Sequence, residues 1–251
     1  MCKVSIITAT YNSASSLNSC LDSVVKQNHK DLEYIIIDGK SSDETVSIVE
    51  DYKKKYPYIK LISEKDSGIY DALNKGVQLA TGDVLGFVHS DDLLANNHIV
   101  TDLVNQLQNE QLDGVYGDLQ YVDKVDLNKV IRLWKSCAFK LSLLKQGWMP
   151  AHPTLFLKKE VYEKHGLFDL TYKIAADYDF MLRVLKDKSL KFDYLPKVIT
   201  KMRVGGASNR SLKNIIQKTK EDYRAIRSNK LGGIYSILRK NTSKIKQFIL
   251  K

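Results

Sequence analysis

Short apolar runs alternate with amphipathic stretches along the first ninety residues of the chain. The runs rich in β-branched residues, as expected of strands buried on both faces, are residues 4–8, 34–37, 59–62 and 84–88. Apolar residues recur at helical spacing from Leu17, after Asp43, which is expected to start a helix, and over residues 69–80. Strands separated by helices in this way predict βαβ units and a parallel sheet whose strands all end at one edge.

The alternation becomes less regular beyond residue 93. Strand-like runs occur at residues 114–118, 130–134 and 198–202, and helical patterns at residues 159–165 and 177–188. We expect these later strands to run in both directions. The whole pattern predicts an α/β fold in which a mixed, mainly parallel central sheet is flanked by helices, with a helical extension at the C-terminus.

Polar and acidic residues follow each of the first four predicted strands. In open α/β sheets, ligands bind at the edge formed by the carboxyl ends of the strands. The segments expected at this edge are residues 9–12 after the first strand, 38–39 after the second, 64–68 after the third and 89–92 after the fourth. Their polar side chains include Thr10, Tyr11, Asp38, Asp66, His89, Ser90, Asp91 and Asp92. Their convergence from four separate segments predicts a binding site.

The residue types at this edge favour a divalent cation. The edge carries neither GxGxxG nor GxxxxGK[ST], so a dinucleotide fingerprint or a P-loop cannot hold phosphates there. The adjacent carboxylates of Asp91 and Asp92 suit a hard ion such as Mg²⁺ or Mn²⁺, which leaves positions for phosphate oxygens and water. An ordinary helix N-terminus, where aspartate is a common cap, is the competing interpretation of this pair.

Five segments, in order along the chain, carry a resemblance to a known family. They are residues 8–12, 37–45, 66–76, 81–83 and 90–92. Over roughly residues 3–208, the chain resembles family 2 glycosyltransferases of the GT-A fold. The resemblance implies a Rossmann-like GT-A catalytic domain at residues 1–210. It also implies inverting transfer of a sugar from a nucleotide diphosphate donor, expected to be UDP-linked. The acceptor would be a hydroxyl of a glycan or lipid-linked molecule in cell-surface polysaccharide biosynthesis.

The resemblance further implies roles for the residues at the edge. The expected donor nucleotide-binding residues are Thr8, Thr10, Tyr11, Asp38, Asp66, Ser90 and Asp91. Tyr11 would offer a flat surface near the base, and Asp38 would accept a hydrogen bond from a base N–H unless it only forms the turn before Gly39. Asp92, together with Asp91, would ligate the Mg²⁺ or Mn²⁺ that offsets charge on the leaving nucleoside diphosphate.

An inverting transfer also needs a base that takes the proton of the acceptor hydroxyl. Residues 175–180, Ala-Ala-Asp-Tyr-Asp-Phe, resemble the family's Glu-Asp motif, although Ala176 stands where Glu is common. Asp177 aligns with the residue that usually acts as the base, and Asp179 is the second candidate. Capping of the helix that starts there is the structural alternative for both aspartates.

Two other segments resemble parts of the family that contact the acceptor or the diphosphate. Trp148 and His152 are expected on the acceptor side, although a lone His between prolines more often only makes loop hydrogen bonds. Arg203 lies near the position of the family's usual His and is expected to contact the diphosphate. Such a contact would leave the metal ion with fewer protein ligands and hence weaker binding.

The formal net charge of +10 is concentrated at the C-terminus. Residues 211–251 hold eleven basic and two acidic residues, whereas residues 1–210 hold 28 basic and 27 acidic ones. A nearly neutral body offers no basic groove, so nucleic acid is not an expected partner.

The tail, residues 211–251, carries apolar residues at helical spacing. They are Ile234, Ile237, Leu238, Ile245, Phe248 and Ile249. A basic amphipathic helix of this kind favours binding to an anionic membrane surface. Docking on the catalytic domain, or on a second copy in a homodimer, uses the same apolar stripe and is the alternative.

The sequence predicts a cytoplasmic protein, because its three cysteines are scattered, it has no secretory signal pattern, and no apolar run is long enough to span a bilayer. The basic tail adds the expectation of peripheral binding at the inner face of the cytoplasmic membrane. Two other functions stay open on the sequence alone. One is a nucleotidyltransferase that makes activated sugars, although residues 9–13 lack the Gly-rich basic loop that this chemistry favours. The other is a non-catalytic nucleotide-binding adaptor at the membrane.

Overall fold

Four strands and three helices alternate along the first part of the chain, as predicted. The computed structural model describes residues 2–205 and 212–243. The elements are β1 Val4–Thr10, α1 Ala14–Val25, β2 Leu32–Asp38, α2 Thr45–Lys55, β3 Ile59–Ser63, α3 Ile69–Leu79 and β4 Val84–Phe87. Asp43, expected to start α2, lies just before it, where its carboxylate accepts the backbone N–H groups of Thr45 (3.0 Å) and Ala14 (3.1 Å).

The later elements vary more in length and do not alternate regularly. They are β5 Asp92–Leu94, α4 Ile99–Asn109, β6 Gly114–Val122, β7 Val130–Trp134, α5 Leu141–Leu144, β8 Phe156–Lys158, α6 Lys159–His165, α7 Ala176–Leu185, β9 Phe192–Arg203, α8 Leu212–Ser228 and α9 Ile234–Ser243. A 3₁₀ turn at His152–Thr154 precedes β8. Strand β9 begins well before the predicted residues 198–202. Pro196 interrupts its pattern, and the register between β9 and β6 shifts around this proline, so pairing continues on both sides.

The strands described in residues 2–205 form one sheet in the order β3-β2-β1-β4-β8-β6-β9-β5, with β7 paired to β6 off this path. Strands β3, β2, β1 and β4 are parallel. Strand β8 is antiparallel to β4 and β6, β9 is parallel to β6, and β5 is antiparallel to β9. The predicted mixed, mainly parallel sheet is therefore confirmed. Because Asp92 pairs with Met202, the start of β5 and the end of β9 meet at the edge where β1 and β4 end.

Both faces of the sheet are covered by helices, as expected for parallel strands. Along β1, Val4 and Ile6 point into one core, whereas Ile7 and Ala9 point into the other, which is the two-residue period of a strand. The first core is closed by α1, α2 and α4. The second is closed by α3, α6, α7 and α8. Both cores end at the same strand edge, so that edge rests on a fully packed support.

The described part of the tail packs on the second core. Ala225 and Ile226 of α8 and Ile237 of α9 are buried there, whereas Ile234 and Leu238 are exposed. The members of the predicted stripe that lie outside the described residues are Ile245, Phe248 and Ile249. The predicted boundary between residues 210 and 211 also lies outside them. One face of each tail helix is thus docked, and within the two described ranges no helix is both long and apolar enough to cross a bilayer.

A buried carboxylate, Glu33 on β2, joins three neighbouring segments. It accepts hydrogen bonds from the Lys60 ammonium (2.6 Å), the backbone N–H of Thr81 (2.8 Å) and the Ser5 hydroxyl. Burial raises the pKa of Glu33, but these hydrogen bonds outweigh burial and lower the pKa to about 2.

We expect Glu33→Gln to lower the free energy of unfolding by roughly 1.5–3 kcal/mol at neutral pH, because hydrogen bonds to a charged acceptor are lost. A lowered folded-state pKa gives stability that is complete above the unfolded-state value, about 4.5, and lost as pH falls toward about 2. Urea unfolding should therefore show a gap between wild type and variant that closes over this window. The exposed Glu163→Gln serves as the control, and a gap that does not depend on pH would contradict the assignment.

Candidate active site

Tyr11, Gly39 and Asp66 meet at the edge, after β1, β2 and β3. Tyr11 is 66% exposed. A Cβ at Gly39 would lie 2.6 Å from Oδ2 of Asp66 and 3.4 Å from Cδ2 of Tyr11. The Tyr11 ring and the Asp66 carboxylate therefore flank bare backbone at Gly39. This arrangement offers an aromatic surface and a carboxylate to a ligand at the same point.

Asp38 and Thr10 lie beneath this point and are buried. The Asp38 carboxylate accepts hydrogen bonds from the Thr10 hydroxyl (3.1 Å), the Ser63 hydroxyl (2.6 Å), and both the backbone N–H (2.9 Å) and the hydroxyl of Ser41. Burial raises the pKa of Asp38, but these hydrogen bonds outweigh it and lower the pKa. Four donors on one carboxylate fit the turn-forming alternative better than a free acceptor for a base.

Thr8 and Ser90 support the edge from neighbouring strands. The buried Thr8 hydroxyl donates to the Val88 carbonyl (2.6 Å) and lies 3.1 Å from the Tyr34 hydroxyl, so it sits under the opening rather than in it. The half-buried Ser90 hydroxyl lies 2.9 Å from the Ser13 hydroxyl. Both residues fix the backbone around the end of β4, directly before Asp91.

Asp92, the first residue of β5, is 1% exposed, and neither of its carboxylate oxygens has a hydrogen-bond partner. Burial and the charge of Asp91 raise the pKa of Asp92 well above its usual range, against the smaller opposing effects of the nearby backbone N–H of Arg203 and of the Arg203 charge. A buried carboxylate without a partner is costly, and proteins normally pair such a group or bind a metal with it. The carboxylate of Asp92 therefore marks an incomplete site.

This pair of aspartates fits a hard cation such as Mg²⁺ or Mn²⁺, because carboxylate oxygens are the ligands that these ions prefer. In residues 2–205 and 212–243, no group of three or more His, Cys, Asp or Glu side chains is arranged to hold a metal. Asp92 and Asp91 would supply the protein ligands, and phosphate oxygens and water would have to complete the coordination.

Arg203, the last residue of β9, ties this segment to its surroundings. Its guanidinium donates to the carbonyl of Asp91 (2.6 Å), the hydroxyl of Ser19 (2.7 Å) and the carbonyl of Lys124 (3.2 Å). Arg203 thus holds the backbone at Asp91 against α1. The predicted contact between Arg203 and a diphosphate would have to use the guanidinium N–H groups that these three bonds leave over.

Asp177 lies half-buried in the first turn of α7. The Tyr70 hydroxyl is 3.1 Å from Oδ1 of Asp177 and 2.7 Å from the carbonyl oxygen of Ile174. The single proton of this phenol on α3 is therefore shared between the Ile174 carbonyl, the closer acceptor, and the Asp177 carboxylate. The contact with the Ile174 carbonyl holds the backbone three residues before Asp177.

Two histidines lie near the candidate base: the charge of Asp177 acts on both His89 and His152, and that of Asp91 acts on His89. The rings of His89 and His152 are 5.9 Å apart, and Nδ1 of His89 and Nε2 of His152 are buried without a hydrogen-bond partner. Burial lowers the pKa of His152 to about 4, against the charge of Asp177. Burial also lowers the pKa of His89, and the charges of Asp91 and Asp177 both oppose this shift, which places His89 within range of both. At neutral pH both imidazoles are uncharged hydrogen-bonding groups.

The contacts of Asp179 and Trp148 are with neighbouring side chains of the protein interior. The buried Asp179 carboxylate accepts hydrogen bonds from Nε of Arg183 and Nδ2 of Asn229, both at 2.9 Å, and so joins α7 to α8. Trp148 is half-buried, with its ring 5.8 Å from Tyr116 in an edge-to-face contact. Of the two base candidates, Asp177 is the one near His89 and His152 at the edge.

His89 was expected at the edge but was given no role there, and Tyr70 was not among the site residues predicted from sequence. His89 directly precedes the segment 90–92, so its position after the fourth strand was a usable signal. Tyr70 had no such signal for a contact with the base candidate, because its hydroxyl reaches residues 104 and 107 positions away.

Comparison with known proteins identifies the family. The profile described as "Glycosyl transferase family 2" matches residues 5–166. A PGL/p-HBAD biosynthesis glycosyltransferase of Mycobacterium bovis (strain BCG / Pasteur 1173P2) is 33% identical over 208 residues, which cover 82% of this chain and 78% of that protein. The match favours a glycosyltransferase over the nucleotidyltransferase and the non-catalytic adaptor.

Solved structures share the fold. S. aureus TarS 1–349 in complex with UDP-GlcNAc aligns with a TM-score of 0.73 and 21% identity over 90% of this chain and 65% of that chain. The mannosyltransferase PcManGT from Pyrobaculum calidifontis, in complex with GDP-Man and Mn²⁺, aligns with a TM-score of 0.64 and 17% identity over 100% of this chain and 76% of that chain. The chain therefore belongs to glycosyl transferase family 2 and is a glycosyltransferase with the GT-A fold.

Proposed function

We propose that the protein transfers a sugar from a UDP-linked donor to a hydroxyl of a glycan or lipid-linked acceptor, with inversion at the anomeric carbon, in the synthesis of a cell-surface polysaccharide or glycolipid. The observation that carries this proposal is the unpartnered carboxylate of Asp92, which is buried at the start of β5 directly after Asp91. The binding of UDP-GlcNAc by TarS, a structural neighbour, supports the choice of UDP.

The donor would bind along the ends of β1 to β4. The exposed ring of Tyr11 would stack on the base, and the carboxylates of Asp66 and Asp91 would accept hydrogen bonds from the base or the ribose hydroxyls. Asp92 and Asp91 would hold Mg²⁺ or Mn²⁺, which when bound offsets the negative charge that grows on the leaving diphosphate. Asp38 would act indirectly, by holding the turn at Gly39 open.

Asp177 would act as the base. Its carboxylate accepts the proton of the acceptor hydroxyl while that oxygen forms a bond to the anomeric carbon and the bond to the diphosphate breaks. Tyr70 keeps the Asp177 carboxylate oriented. The uncharged His152 and the half-buried Trp148 would contact the acceptor, because both lie on the side of the edge away from Tyr11.

A donor panel tests this proposal. UDP-, GDP- and dTDP-sugars are incubated with the protein and Mn²⁺, and release of nucleoside diphosphate is followed with water or a candidate glycolipid as the acceptor. We expect release from at least one UDP-sugar and none from the other two nucleotide classes. Release from GDP- or dTDP-sugars alone would contradict the choice of UDP, and no release together with no nucleotide binding would contradict the donor site.

The outward faces of α8 and α9 support a second part of the proposal, peripheral binding at the inner face of the cytoplasmic membrane. The tail's only two acidic residues, Glu221 and Asp222, are both buried. The exposed basic residues are Lys213, Lys220, Arg224, Arg227, Lys230 and Arg239. The exposed large apolar residues are Ile215, Ile216, Tyr223, Ile234, Tyr235 and Leu238. Among the described tail residues, every exposed charged side chain is thus cationic. A surface that combines such charges with apolar side chains fits an anionic lipid headgroup layer.

Lys220 and Arg227 allow a direct test, because they alternate with Ile216 and Tyr223 along one exposed stripe of α8. We expect the double variant Lys220→Glu/Arg227→Glu to bind vesicles rich in phosphatidylglycerol at least about 30-fold more weakly than wild type, at about 1 kcal/mol per basic residue. Vesicle co-sedimentation measures this.

The matched control is Lys129→Glu/Lys188→Glu, which makes the same charge change at exposed positions of the catalytic domain. Equal loss of binding in both double variants would show that only net charge matters and would contradict a specific face. If the wild-type protein does not bind anionic vesicles but self-associates in analytical ultracentrifugation, the face would instead be an interface with a second copy.

A further inference from the structure

One carboxylate of α8 binds the loop that leads into α7. Glu221 is 4% exposed. Its Oε1 accepts the backbone N–H of Lys173 (3.0 Å), and its Oε2 accepts those of Ile174 (2.8 Å) and Ala175 (2.9 Å). Three consecutive backbone donors therefore converge on a single side chain that lies 46 to 48 positions further along the chain.

This contact lies directly in front of a helix start that has no side-chain cap. Ala175, at the N-cap of α7, makes no side-chain cap hydrogen bond, and Ala176 offers no polar side chain either. Free N–H groups at a helix start need an acceptor, and a negative charge there also interacts favourably with the helix dipole. Glu221 accepts the N–H of the N-cap residue Ala175 and places a negative charge in front of the helix whose second residue is Asp177.

Glu221 is held in its charged form. Burial raises its pKa, but the hydrogen bonds from Gln217 and from the backbone of Ile174, Lys173 and Ala175 outweigh burial and leave the pKa below its usual value. The Gln217 amide, 2.8 Å from Oε1, also fixes the orientation of the carboxylate. The charge is therefore available at neutral pH, where transfer takes place.

Residues 173–175 are hydrogen-bonded on two sides, by α8 and by α3. The N–H of Ile174 donates to Glu221, and its carbonyl accepts from the Tyr70 hydroxyl, which also bonds to Asp177. Displacing this loop therefore moves both the backbone before Asp177 and the phenol that orients its carboxylate.

Three other contacts join the tail to α7 or join its two helices to each other. The buried Lys240 ammonium lies 2.8 Å from Asp222 and 3.1 Å from the centroid of the Tyr178 ring, and Asn229 bonds to Asp179. These contacts hold the body of α7. The loop in front of Asp177 is bound from α8 by Arg224 at Thr171 (2.7 Å) and Tyr172, and by Glu221 at residues 173–175, which lie next to Asp177. Loss of Glu221 should therefore displace the backbone before Asp177 more than it destabilises α7.

We infer that Glu221 is a positioning residue for transfer: it holds residues 173–175 so that Asp177 meets the acceptor hydroxyl. The inference rests on the proposed role of Asp177 as the base. It assigns to the tail, beyond any contact with membrane, a direct part in the geometry of the active site.

The test compares Glu221→Ala, Glu221→Gln and the exposed control Glu163→Ala. Turnover is measured with the UDP-sugar that the donor panel identifies, UDP affinity by calorimetry with Mn²⁺, and exchange of the amides of residues 173–175 by hydrogen–deuterium exchange. We expect Glu221→Ala to lower kcat about 10- to 100-fold, since small displacements of a reacting group are costly, with UDP affinity within about 2-fold of wild type. Amide exchange should accelerate at residues 173–175. Glu221→Gln should recover part of the loss, because its amide oxygen still accepts from Ile174 and Ala175.

Combination with Asp177→Asn separates positioning from general damage. In the Asp177→Asn background, Glu221→Ala should cause no further loss of kcat, because the residue that it positions is already inactive. Losses that multiply, or a Glu221→Ala variant with wild-type kcat despite faster exchange, would overturn the inference. So would loss of UDP affinity in Glu221→Gln. If wild type itself turns over no nucleotide sugar, the proposed function fails first, and this is visible before any Glu221 variant is compared.

Discussion

Asp177→Asn is expected to abolish most transfer and to leave donor binding intact. General bases contribute roughly 10²- to 10⁴-fold to such reactions, and an amide cannot take the proton of the acceptor hydroxyl. The donor is expected to bind on the Tyr11 side of the edge, so the affinity for UDP with Mn²⁺ should stay within about 2-fold of wild type. Turnover of the active UDP-sugar and calorimetric titration of UDP, on the same preparation, measure the two effects.

Asp179→Asn is the matched control, because it makes the same substitution two residues along α7. Asp179 is buried against Arg183 and Asn229, so its loss should lower the free energy of unfolding by roughly 3–5 kcal/mol and leave kcat per folded molecule close to wild type. A folded Asp179→Asn variant that loses turnover while Asp177→Asn keeps it would exchange the roles of the two residues.

Asp92→Asn is expected to change stability and binding in opposite directions. The Asp92 carboxylate is buried without a hydrogen-bond partner and its pKa is raised, so folding without metal carries a cost that an amide avoids. Because the folded-state pKa is the higher one, this cost is absent below the unfolded-state pKa and grows as pH rises above it. The metal-free variant should therefore be more stable than wild type by roughly 1–3 kcal/mol at neutral pH, and by less in acid.

The same substitution should weaken UDP binding in the presence of Mn²⁺ by at least about 100-fold, since a neutral amide oxygen replaces a charged metal ligand. Thermal unfolding with and without Mn²⁺ plus UDP reports both effects, because a ligand that binds only the folded state raises Tm. Asp51→Asn is the control, since its ion pair with Lys54 lies on the surface. An Asp92→Asn variant that is less stable than wild type without metal, yet still gains Tm from Mn²⁺ plus UDP, would assign Asp92 a structural role.

The local pattern of apolar and polar residues was enough to predict the first four strands and the edge where the polar residues that follow them meet. It could not show what each polar residue does there. Asp38 ends a strand, Asp92 begins one, and both are buried, but Asp38 accepts four hydrogen bonds and Asp92 none. That difference depends on Ser41 and Ser63, which come from two separate segments and reach one of the two carboxylates only.

The contacts of Asp177, the candidate base, could not be predicted from the sequence for a related reason. Tyr70 and Glu221 approach the loop before Asp177 from helices that are far away along the chain. The tail stripe was predicted as amphipathic, but its orientation was not. Ile237 is buried, whereas Ile234 is 68% exposed, because tertiary packing decides which part of a broad apolar stripe is covered.

The most direct test of the donor site is calorimetric titration of UDP into the wild-type protein with and without Mn²⁺. The unpartnered Asp92 carboxylate and the exposed Tyr11 ring predict saturable binding of one UDP that is strong with Mn²⁺ and at least about 10-fold weaker without it. Absence of UDP binding under both conditions would contradict the donor site at the carboxyl edge of the sheet.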